Sequence, residues 1–222
     1  MTTRGDNADL RDFLEKVNTE QERQAFFAIA LMNPAFHWFF TQGQQALEAE
    51  LYIPGVSSIL NGVEASLRVT MAQISPKYDG ELSLSPYHVL SNTMLSKAHI
   101  AGLPVELLAL PGESDFLNQI ETKDSVAIVQ LRHDVCHGNI LNFIQKMEFE
   151  QIEILTPECL RPTAALLLGV AYKWAIGLAN FRTNNGRRPE GYPIPKMPTN
   201  PLEEWLQQAN TGPSGLADGT KI

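Results

Sequence analysis

The chain has 222 residues, 44% of them hydrophobic and 19% charged, with a formal net charge of -8 and an isoelectric point near 5.1. That composition excludes wholesale disorder, and the length allows one globular domain with decorations, or one domain plus a small helical one. The acidic balance excludes a broad, sequence-independent grip on nucleic acid, which depends on neutralising many phosphates, but leaves room for a small site that touches one or two.

Two cysteines, Cys136 and Cys159, supply no disulfide framework, and no basic segment precedes an apolar run near Met1. A cytoplasmic location is therefore the expectation. The most apolar stretches, 25–40 and 164–181, are short or interrupted by Asn33, Pro34, His37 and Lys173. A membrane span needs roughly 20 apolar residues, so both stretches read as buried helices and no membrane contact is expected.

In chain order, 9–17 predicts a short amphipathic helix with Leu10, Phe13, Leu14 and Val17 on one face. Thr19 with Glu22 three residues on has capping-box form and predicts a second helix through Met32. Asn33-Pro34 restarts the chain. The run 35–40, rich in aromatics, requires burial in the core or in an oligomer interface, and His37 reads as a core or boundary histidine with a local partner. Pro54-Gly55 marks the next boundary. After it Val56, Ile59, Leu60, Val63, Leu67, Met71 and Ile74 form a helical stripe that Ser75-Pro76 breaks. Beside the stripe, Glu64 and Arg68 read either as an exposed ion pair four residues apart or with Glu64 orienting a site residue.

Ser85-Pro86 reads as the start of a helix that Gly102 and Pro104 close, and Ser114 as the cap of a short helix through Ile120. Lys97 and His99 are expected to face solvent. Asp124 is the expected cap of a helix that Gly138 ends in a left-handed turn. Residues 140–154 read as a continued helix. Thr156-Pro157 breaks it, and 164–181, apolar on most of its circumference, belongs at the centre of a bundle. Four prolines between 186 and 200 prevent regular structure, 202–208 predicts a last short helix that docks Trp205, and 210–222 has a disordered composition. No β-strand is expected.

The chemistry of the chain concentrates in Leu131-Arg132-His133-Asp134-Val135-Cys136-His137-Gly138-Asn139, where an arginine, two histidines, a carboxylate and a thiol fall within six residues. At about 100° per residue, Arg132 and His137 lie roughly 140° apart on an ideal helix. They meet only where the helix end frays or where a second copy contributes to the same groove. His133 and His137, four apart, share a face and read alternatively as two metal ligands. That reading lacks a third histidine downstream and has Asp134 where H-E-x-x-H sites carry a longer Glu. The plainest reading is structural, with the polar groups paired and Cys136 packed as a small apolar residue. Phosphate-cradling and dinucleotide glycine motifs are absent, as is G-x-S-x-G.

The spacing R-x-x-x-x-H with a polar residue after the Arg, at the end of a helix and before Gly138-Asn139, resembles the motif of the HEPN superfamily, small all-α domains that include many metal-independent ribonucleases. The resemblance covers 53–182. It implies an all-α, HEPN-like helical bundle, with 1–52 as an extra N-terminal helical extension and 183–222 as an irregular C-terminal segment. It further implies a metal-independent endoribonuclease without cofactor, in which His137 is the acid/base, Arg132 clamps phosphate, and His133 bonds phosphate or orients the others. Asp134, Glu64 and Asn139 are supporting candidates. Apart from the resemblance, Arg182, Arg187 and Arg188 read either as a local basic lip or as a solvated linker. The family resemblance also implies a homodimer with Arg132, His133 and His137 of both copies in one cleft, and a toxin–antitoxin or defence role with a cognate antitoxin or regulatory protein. The alternative within the same resemblance is a non-catalytic RNA- or protein-binding module.

Overall fold

In the computed structural model, which describes residues 5–84, 89–122, 125–143, 145–146, 153–154 and 156–203, the first helix, α1 (Gly5–Leu31), is one continuous element where two were expected. Thr19 does not cap a helix. Its hydroxyl donates to the Glu15 carbonyl one turn back (2.9 Å), and no Gly or Pro interrupts 9–31. The helix ends at Met32, whose φ of 45° turns the chain into Asn33-Pro34, and the Asn33 side chain accepts the Ala35 amide (2.9 Å). Only the last turns of α1 enter the core, through Phe26, Phe27, Ala30 and Leu31; Leu10, Phe13 and Leu14 are at least half exposed.

Helix α2 (His37–Glu48) returns along α1, tied by Arg23 Nε to Glu48 (3.1 Å), and α3 (Tyr52–Ile74) returns along α2. The Pro54-Gly55 pair is no boundary: both lie inside the first turns of α3, where a proline amide would have had no partner in any case. A Cβ at Gly43 would stand 2.7 Å from Ile59 Cγ1 and 3.1 Å from the Ile59 amide, so α2 and α3 touch backbone to backbone. The aromatic run divides. Phe36 and Phe40 are fully buried while Trp38 and Phe39 face out, and His37 Nδ1 lies 2.7 Å from the Asn33 carbonyl.

The predicted stripe on α3 is buried from Val56 to Met71, with Ile74 packed at the edge. It meets α7 (Arg161–Asn184), the central helix, buried along most of its length. Phe27 stacks between Phe40 and Tyr172 (ring centroids 5.2 Å apart in each case), and Trp174 donates through Nε1 to Ser66 Oγ (2.9 Å). Helices α1 and α2 therefore share one core with α3 and α7. By length and composition, Pro157–Asn184 is the one stretch among the described residues that could cross a membrane, but 61% of its most apolar window is buried inside the bundle.

Around this core sit α4 (Asn92–Ile100), a 3-10 turn at Val105–Leu108, α5 (Phe116–Glu121) and α6 (Ala127–His137). Helix α4 starts later than expected, capped by Ser91, whose Oγ accepts the Met94 amide (3.3 Å); Ser85 and Pro86 lie outside the described residues. Lys97 is exposed and His99 half-buried. The residue before α5 is Asp115, without a side-chain cap bond, in place of Ser114.

After α6 the expected continuous helix is absent. A 3-10 turn (Ile140–Phe143) leads to a two-residue antiparallel ladder, β1 (Gln145–Lys146) with β2 (Glu153–Ile154), and a further 3-10 turn (Pro157–Leu160) precedes α7. The mixed apolar–polar alternation of 140–154 fits a short hairpin as well as a helix, and Gly138 has already ended α6. The architecture is an all-α helical bundle with, among the described residues, this one small ladder.

The proline-rich segment after α7 is irregular and lies against the body. Asn200 Nδ2 donates to the Ala165 carbonyl (2.8 Å) and Leu202 is buried. The helix expected at 202–208 is described only as far as Glu203, and Trp205 and 210–222 lie outside the described residues.

Candidate functional site

Helix α6 is held at both ends by distant side chains. Its first amide, Ala127, donates to Glu113 Oε1 (2.8 Å), and Val126 is the residue at the cap position; Asp124, the expected cap, lies outside the described residues. Glu113 places a carboxylate at the positive end of the helix dipole and accepts the Leu110 amide through its other oxygen (2.7 Å). The C-terminus follows expectation: Gly138 sits at φ 67°, ψ 25°, and the Asn139 amide donates to the Asp134 carbonyl (2.8 Å).

Asp134 is a structural residue. It is 3% exposed, and its carboxylate accepts from Gln130 Nε2 (2.9 Å), Asn139 Nδ2 (3.0 Å) and Asn142 Nδ2 (2.8 Å). Both oxygens are thus committed to shaping the turn that ends the motif helix, which removes Asp134 from the solvent-facing group of candidates and gives Asn139 a positioning role beside it. Asp134→Ala would leave three amide donors without their acceptor, and we expect it to cost about 2–3 kcal/mol in chemical denaturation.

The arginine and the histidines point to different places. Arg132 reaches α3, where its Nη2 lies 3.0 Å from Glu64 Oε2; their side chains are 17% and 12% accessible. The Glu64–Arg68 pair expected at the surface exists, but is longer, at 3.8 Å, and Glu64 is largely enclosed. Glu64 Oε2 also accepts the Leu90 amide (2.9 Å), so the carboxylate is fixed from the chain beyond α3 and in turn fixes Arg132. Both readings of Glu64 have a contact in the structure, the ion pair with Arg68 at 3.8 Å and the contact with Arg132 at 3.0 Å. Leu90 and Arg132 lie 26 and 68 positions away, and four-residue spacing along one helix cannot reveal them.

His133 and His137 are exposed, and their rings stand 4.5 Å apart between centroids, tilted by 45°. Cys136 is exposed rather than packed. Among the described residues no group of three or more His, Cys, Asp or Glu side chains converges on a point where a metal could sit.

The expected basic lip does not form. Arg182 is buried, its Nη1 on Gln73 Oε1 (2.8 Å), its Nη2 on the Arg187 carbonyl (2.7 Å) and its guanidinium over the Phe36 ring; burial, then the charges of Arg187 and Arg188, pull its pKa down to about 10. Arg188 is also buried, bonding carbonyls of Ile29, Ala30, Tyr192 and Pro193, and Arg187 lies over the Tyr78 ring. Arg188 fastens the segment after α7 to the end of α1, and Arg182 ties α7 to α3 through Gln73. Arg182 and Arg188 are buried with their Nη groups on carbonyl oxygens, which takes them out of a solvent-facing phosphate site.

The site is thus a helical surface on which α6 carries Arg132, held against Glu64, and the exposed rings of His133 and His137. No protein-family model matches the chain, and neither a curated protein nor a solved structure shows significant similarity to it.

Proposed function

We propose that the chain is a HEPN-type, metal-independent endoribonuclease that works as a homodimer. The observation that carries this reading is the Glu64–Arg132 pair at 3.0 Å, which holds a guanidinium in place on the helix that also presents His133 and His137. Arginine stays charged and matches two phosphate oxygens, and histidine gives and takes protons near neutral pH. In the reaction, one imidazole takes the proton of a 2′-hydroxyl as its oxygen bonds to phosphorus, the bond to the 5′-oxygen breaks, and a protonated imidazole supplies that oxygen's proton. Arg132 would stabilise the charge that develops on phosphorus oxygens.

One Arg132 is little positive charge for a chain of net charge -8. Two copies related by a two-fold axis would double the arginines and the His137 acid/base groups in one cleft. A strictly monomeric protein in solution would overturn this composite site.

End-labelled single-stranded RNA incubated with the purified chain in EDTA should yield fragments ending in 2′,3′-cyclic phosphate. Activity that appears only after zinc is added would move the reaction to the histidine pair as metal ligands. A second reading, a non-catalytic HEPN-like RNA- or protein-binding module, is favoured by one observation: Glu64 already neutralises Arg132. Absence of cleavage under every condition would select it. The toxin–antitoxin or defence role and a cytoplasmic location belong to this proposal as its expected setting.

A further inference from the structure

Glu64 is shared by two arginines. Its Oε2 lies 3.0 Å from Arg132 Nη2 on α6, and its Oε1 lies 3.8 Å from Arg68 Nη1 on α3. Two guanidinium groups therefore flank one carboxylate, which leaves a local formal charge of +1 on a chain whose total is -8. The carboxylate is pinned by the Leu90 amide, while among the described residues Arg68 makes a long contact from Nη2 to the Leu84 carbonyl (3.5 Å). Both side chains keep part of their surface in water, 32% for Arg68 and 17% for Arg132. The Nε atom of each is buried, so a ligand from solvent meets only the exposed part of each guanidinium group. Two like charges beside a single counter-charge repel each other. A bound anion with several acceptor oxygens, meeting the exposed part of both guanidinium groups, relieves that repulsion.

We propose that Arg68 and Arg132, braced by Glu64, form a two-arginine phosphate clamp, and that Arg68 is a phosphate-binding residue alongside Arg132. The inference rests on the reading of Arg132 as a phosphate residue and adds Arg68 to it. The clamp answers within one copy the shortage of positive charge that a lone Arg132 leaves. The bound group is a phosphate, from an RNA backbone or free in solution, because its tetrahedral oxygens can be shared between two forks.

Inorganic phosphate is titrated into the full chain at constant ionic strength while the arginine Nε–H signals are followed by NMR. The expected result is a saturable shift of the Arg68 and Arg132 signals with one common affinity. Arg68→Gln, which keeps much of the stem, should weaken phosphate about tenfold, and Arg68→Lys should recover part of the loss, since charge returns without the fork. An uncleavable 2′-O-methyl oligonucleotide forms the second arm. Equal weakening of its binding by Arg68→Gln assigns the clamp to the RNA backbone, and weakening of inorganic phosphate alone supports the clamp with free phosphate as its ligand. No saturable shift in the folded wild-type chain, or unchanged phosphate affinity in Arg68→Gln, overturns the proposal. A clamp that binds phosphate in a chain that cuts no RNA leaves this inference standing and removes the nuclease reading; RNA cleavage without a phosphate response does the reverse.

Discussion

Replacing His137 by alanine should lower RNA cleavage by about 10²–10⁴-fold, the usual contribution of a positioned acid or base, while the melting temperature stays nearly unchanged because the ring is exposed. Arg132 behaves differently. Its side chain is mostly enclosed and is the nearer of the two arginines to Glu64, so Arg132→Ala should remove cleavage and also cost about 1–3 kcal/mol of stability. Arg132→Lys separates the two effects: it keeps a charge near Glu64 but loses the fork, so most of the stability should remain while cleavage falls by about 10²-fold or more. Initial rates on labelled RNA, paired with denaturant melts of each variant, check both halves. Cleavage by His137→Ala at the wild-type rate would refute the assignment of the acid/base group.

Trp174→Ala should be the most damaging single change to the fold, at about 3–5 kcal/mol, against a total of about 5–15 kcal/mol for a domain. Trp174 is fully buried in the centre of α7, and its indole N–H bonds Ser66 Oγ, which itself donates to the Val63 carbonyl (2.8 Å). Truncation would open a cavity between α3 and α7 and leave the serine short of a partner. Because α6 packs on α3, the displacement should reach Glu64 and with it Arg132. Loss of cooperativity in urea unfolding, read by circular dichroism, would report it; a stable, two-state Trp174→Ala chain would mean that the α3–α7 contact is not central to the core.

Periodicity and local chemistry determined the helical class, the buried stripe from Val56 to Met71, the apolar centre of α7 and the left-handed end of α6 at Gly138. Each depends on residues within about one or two turns of each other, which is the range over which helical spacing and a glycine cap act. The same local signals failed where two outcomes are close in energy. Thr19 is as compatible with a helix interior as with a cap, so α1 ran on, and the described residues of 140–154 form a 3-10 turn and a two-residue ladder.

The candidate site was legible as a cluster of residue types and illegible as an arrangement. The sequence placed Arg132, His133 and His137 on one short helix; that the two histidine rings lie 4.5 Å apart, tilted by 45°, while Arg132 turns to α3 depends on how α6 packs. Tertiary structure alone decided that Glu64 binds Arg132 more closely than its four-residue neighbour Arg68, and that Asp134 anchors a turn. It also decided that Arg182 and Arg188 are buried fasteners. The physical reason is common to all of these. A charged side chain settles on whichever opposite charge or carbonyl packing brings within about 3 Å, and partners 68 or 158 positions apart leave no trace in local spacing.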